Sequence, residues 1–132
     1  LVDTEKGQII SNLALQKLLY YCQGYYLGST SEKLFKEDVV AWKYGPVVPD
    51  VYFYYKDKGC SALPTDELTE EIENKFTKEQ KELIEAVFEN FKDYSAIALM
   101  NQTHTETPWK TTELSEIITT DKLMEFFKDK IE

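Results

Sequence analysis

Residues 12–27 read NLALQKLLYYCQGYYL, and within them Leu15, Leu18, Leu19, Cys22 and Tyr26 fall at offsets of 0, 3, 4, 7 and 11. That spacing follows one face of a 3.6-residue period and predicts a helix from Asn12 to Leu27. Ser11 or Asn12 can cap its start, and Gly28, Ser29, Thr30 and Ser31 are turn formers that end it. Gly24, inside the helix, marks a place where another element can approach closely.

Working outward, residues 33–44 mix Leu34 and Phe35 with Val39, Val40, Ala41 and Trp42, a pattern that allows one or two short strands. Gly45 and Pro46 read as punctuation after them. Pro49 suits a first helical turn, because its missing N–H would have no intrahelical partner there, and Gly59 suits a carboxy-terminal cap. A helix over 49–58 follows. Residues 61–78 are polar and contain the acidic cluster TDELTEEIE, read as a short helix or an ordered loop.

Thr77 and Gln80 have capping-box spacing ahead of the stripe Leu83, Ile84, Val87, Phe88 and Phe91, which predicts a helix to about Lys92. Ser95 caps another helix carrying Ile97, Leu99 and Met100 that runs out before Pro108. A loop through Trp109 follows. Thr120 or Asp121 opens a last helix with Leu123, Phe126, Phe127 and Ile131 on its core face. The expectation is a mostly α, single compact domain over residues 1–132, with five or six helices and a small β element near residues 33–44.

At 132 residues and 42% hydrophobic composition the chain can build one core. No apolar run reaches the roughly 20 residues of a membrane span and no signal-peptide pattern opens the chain, which reads as cytoplasmic. Cys22 and Cys60 fit a reducing compartment as unpaired residues. One histidine and no CxxC or HExxH spacing leave too few ligands for zinc, so no metal and no cofactor are expected.

Net charge is −9 and all fifteen basic residues are lysine, which argues against nucleic acid as a partner. Residues 1–66 carry eight acids and seven lysines, whereas 67–132 carry sixteen acids and eight lysines. The acidic half reads first as solvated helix faces and second as a surface that steers a basic partner. No phosphate-binding glycine loop or GxSxG elbow occurs, so no catalytic residues are assigned and the chain reads as a non-enzyme.

Three segments carry a family resemblance: LQKLLYYCQGYYL (15–27), LFKEDVVAWKYGPVVPDVY (34–52) and THTETPW (103–109). In this order they resemble the signatures of the Panacea domain family, also called SocA-like or GepA-like, of antitoxins and phage-associated proteins. The resemblance implies an antitoxin that neutralises a protein toxin by direct binding. In one branch it implies instead an adaptor that presents its partner to an ATP-dependent protease, or a prophage accessory protein. Family members usually carry a helix ahead of the first segment; only fourteen residues precede Leu15 here, so the resemblance implies a helix upstream of Leu1.

Trp42, Tyr44, Gly45, Pro46, His104, Pro108 and Trp109 are the candidate partner-binding residues. The stretch from Trp42 to Pro46 has two readings. Either it is an exposed rigid turn with an aromatic anchor, as in interface hot spots, or Trp42 and Tyr44 cross the core while Gly45 supplies an unusual backbone angle. The burial tendency of large aromatics favours the second. For His104, hydrogen bonding to backbone near Pro108 and Trp109 outweighs catalysis, which would require Cys22 or Glu106 beside the ring. Eight of the nine tyrosines lie at or before Tyr55, and their expected place is the core edge with hydroxyls in water.

Overall fold

A computed structural model describes residues 12–56 and 76–130. The first helix, α1 (Asn12–Thr30), leads into an antiparallel hairpin of β1 (Val40–Trp42) and β2 (Gly45–Val47). Then come α2 (Pro49–Lys56), α3 (Lys78–Phe91), α4 (Ala96–His104), the one-turn α5 (Thr107–Lys110), α6 (Thr120–Phe127) and a 3₁₀ turn over Lys128–Lys130. The fold is mostly helical with one small sheet, as the sequence predicts.

α1 is the axis. The hairpin and α2–α4 pack on it from different sides, as does α6. It therefore buries residues on every face, including Leu15, Leu18, Tyr20, Tyr21, Cys22 and Leu27. Only a helix surrounded by other elements does this; a surface helix keeps one apolar stripe. α6 lies closest, with Phe127 seated over Gly24, where the missing side chain makes room for the ring.

α3 is an ordinary amphipathic helix. Thr77 accepts from the Gln80 N–H at 3.2 Å while the Gln80 side chain accepts from the Thr77 N–H at 2.9 Å, so two otherwise unpaired donors are satisfied reciprocally. Ile84, Val87 and Phe91 face the core, and Phe91 stacks on Tyr21 with ring centroids 4.4 Å apart. Ser95 and Thr119 cap α4 and α6 in the same way, each accepting from the N–H three residues on.

Three sequence expectations change, and one pairing was not anticipated. α1 runs through Gly28 to Thr30 before Ser31 breaks it with a φ of 63°. Gly45 and Pro46 are strand residues: the turn is Lys43–Tyr44, and Pro46 pairs with Ala41. The small sheet thus straddles residue 44 rather than ending there. Pro108 lies in the first turn of α5, which begins at Thr107, instead of in a loop, since proline fits the first turn of a helix. The segment 115–118 runs antiparallel along the other edge of β1, with Ala41 N–H donating to Glu116 O and Ile118 N–H to Val39 O. The expectations for Ser11, Gly59, Cys60, the 61–75 segment and Ile131 lie outside the described residues.

Buried amides on α1 stitch the irregular chain to the axis. Gln23 accepts from Leu34 N–H at 2.7 Å and donates to Phe35 O at 2.9 Å; Gln16 accepts from Val48 N–H at 2.9 Å. Leu34 and Val48 are themselves buried, so each backbone N–H depends on that side chain. Gln23→Ala is predicted to cost about 1–2 kcal/mol in chemical denaturation, the price of an unsatisfied buried donor. An unchanged midpoint would show that water replaces the amide.

Candidate protein-binding site

The seven residues singled out from the sequence gather around the hairpin and α5. The Trp109 indole N–H donates to Trp42 O at 2.9 Å, tying α5 to β1. His104 stacks on Trp109, centroids 4.1 Å apart and planes 26° from parallel. Its Nε2 is buried without a hydrogen-bond partner among the described residues, so stacking rather than the expected backbone bond holds this ring. Pro46 and Pro108 are buried scaffold.

Gly45 adopts a φ of +110°, a region that strains any residue with a Cβ. A Cβ there would also fall 2.9 Å from both Lys17 Cε and Thr103 Oγ1. The hairpin therefore closes directly onto the α1 and α4 side chains. Tyr44, at the turn, does not cross the core; it is 58% exposed. Trp42 is half-buried at the head of an edge-to-face cluster, 5.1 Å from Tyr52 and 5.9 Å from the exposed Phe53. The aromatic turn is thus presented to solvent on a rigid base.

Behind this face lies a second group that the sequence reading did not assign. Tyr20 and Tyr21 donate to the two carboxylate oxygens of Glu106, at 2.9 and 3.1 Å. Burial, ahead of the Glu106 charge, pushes both phenols well above their ordinary range, so they remain protonated donors. Burial also raises the Glu106 carboxyl, against the lowering effect of those two bonds. These hydroxyls do not reach water as expected. They clamp the loop between α4 and α5, and the carboxylate they hold is not available to His104 as a base.

Lys17 is the other missed residue. Its side chain is fully buried, its Nζ has no hydrogen-bond partner among the described residues, and desolvation pulls it down to about 8. The signal was present as a charged residue inside an apolar run, LQKLL. Cys22, also buried, is pushed up to about 12 and is an inert thiol. No group of three or more His, Cys, Asp or Glu residues suited to a metal occurs among the described residues, and no described helix is long and apolar enough to cross a membrane.

Beside the turn, an open cavity of about 430 Å³ is lined by Lys43, Trp109, Lys110, Thr112, Glu113 and Leu114. Fold and site together define a small helical domain that displays an aromatic hairpin braced from behind by buried polar contacts. Residues 15–110 match the family described as "Antitoxin SocA-like, Panacea domain", and the chain belongs to that family. It is also 48% identical over 50 residues to Antitoxin SocA of Caulobacter vibrioides, a match covering 38% of this chain and 27% of that protein. No solved structure matches the chain.

Proposed function

We propose that this protein is an antitoxin that neutralises a protein toxin by direct binding, and that the aromatic hairpin is the contact surface. Membership of the SocA-like family supports the antitoxin role. The observation that carries the binding mode is the exposed pair Tyr44 and Phe53 beside half-buried Trp42, on a base closed by Gly45 and Trp109. Rigid aromatic side chains supply large contact area at low entropic cost, which is why they dominate interface hot spots.

Co-expression with each neighbouring open reading frame tests the role. The expected result is one frame that is toxic alone and rescued by this chain; no such frame would remove the antitoxin reading. Tyr44→Ala combined with Phe53→Ala is predicted to weaken toxin binding at least about tenfold in calorimetric titration, the effect of losing hot-spot aromatics, with circular dichroism unchanged. Equal binding by that variant would move the interface elsewhere. Toxin half-life with and without an ATP-dependent protease separates occlusion from delivery.

A further inference from the structure

We infer that the cleft between the hairpin turn and α5 accepts an acidic segment of a protein partner, with an apolar side chain seated on Trp109 and Leu114 and a carboxylate held between Lys43 and Lys110. This deepens the direct-binding reading above and rests on it for its biological consequence.

The protein as a whole carries a charge of −9, yet the two cations that line this cleft, Lys43 and Lys110, face one acid, Glu113. Both lysines are exposed, and neither forms a salt bridge among the described residues. Lys43 instead lies over the Tyr44 ring, 5.6 Å from its centroid, so cation and aromatic surface are offered together. Leu114 is 56% exposed at the rim and Trp109 is half-buried at the base.

Apolar surface flanked by unpaired lysines matches an acidic and apolar segment better than a basic one, which would meet like charge at both rims. The distant acidic residues do not cancel this preference. At physiological ionic strength charges beyond about 8 Å are largely screened, whereas the two rim lysines act at contact.

Trp109, one of the chain's two tryptophans, lines the cleft and donates its indole N–H to Trp42 O, so intrinsic fluorescence reports on the cleft. The full chain is titrated with two short synthetic peptides, one of alternating Glu and Phe and one of alternating Lys and Phe. The Glu–Phe peptide is expected to shift tryptophan emission saturably and to bind at least about tenfold more tightly than the Lys–Phe peptide. The double variant K43E/K110E, with both changes on exposed positions, is expected to reverse that order while its circular dichroism stays that of the parent. Equal affinity for the two peptides, or an order unchanged in K43E/K110E, overturns the inference. A failure to find a cognate toxin would overturn the antitoxin reading alone, because this titration uses no toxin.

Discussion

Replacing Lys17 with methionine is expected to stabilise the free protein by about 2–3 kcal/mol at pH 7, an unusual direction for a substitution at a buried position. The ammonium is fully enclosed beside Gly45 and Thr103 with no hydrogen-bond partner among the described residues. Burial lowers its pKa from 10.5 to about 8. The unfolded chain therefore holds that proton more tightly than the folded one. Below pH 8 folding bears the whole difference, about 1.4 kcal/mol for each tenfold loss of proton affinity. As pH rises from about 8 toward 10.5 the folded lysine is neutral while the unfolded one is still charged, so stability increases across that window.

Urea denaturation at pH 7 and pH 9 reads this effect. Wild type is expected to gain stability over that interval and Lys17→Met to show no such gain. Measurements are kept below pH 10, because the raised phenols of Tyr20 and Tyr21 act in the opposite sense when the unfolded tyrosines begin to ionise. A methionine variant less stable than wild type at pH 7 would mean that the ammonium has a compensating partner, such as a bound water.

Gly24→Ala is expected to cost about 3 kcal/mol, a large effect for one methyl group. Its Cβ would lie 2.8 Å from Phe127 Cζ and closer still to two other ring carbons. Phe127 cannot retreat easily: its ring also meets Tyr20 at 5.6 Å, Tyr25 at 4.8 Å and Phe126 at 5.0 Å between centroids. Overpacking a filled core forces rotamer or backbone shifts costing about 1–3 kcal/mol, at the upper end where the neighbour is a locked ring. Thermal unfolding of Gly24→Ala, and of Gly24→Ala with Phe127→Leu, gives the check. Partial recovery in the double variant is expected, and its absence would argue that the helix propensity gained by alanine offsets little and that the clash lies elsewhere.

Much of the fold was legible because the forces that specify it are local. The α3 stripe and the Thr77–Gln80 capping box sit within one or two helical turns of each other, and both appear in the structure where their spacing put them. The serine at 95 and the proline at 49 marked helix starts by the same short-range chemistry. Family membership was legible too, through three ordered segments. The roles of their polar residues were not. Tyr20 and Tyr21 meet Glu106 across 86 and 85 residues of chain, and Gln16 meets Val48 across 32. No periodicity encodes such partners.

The stretch from Ala41 to Pro49 shows the same division. Glycine and proline announced a turn, but the turn sits two residues earlier, since only Gly45 can take the left-handed angle that brings β2 against Lys17 and Thr103. Caps and periodicity by themselves determined most of the helices, and three ordered segments marked the chain as one of the SocA-like family. Tertiary structure alone decided that α1 is enclosed on all sides, that Gln16, Gln23, Tyr20, Tyr21 and Lys17 on it face inward, and that Tyr44 and Phe53 face out. The physical reason is that burial of a polar or aromatic side chain is set by what packs over it, and those elements come from distant parts of the chain.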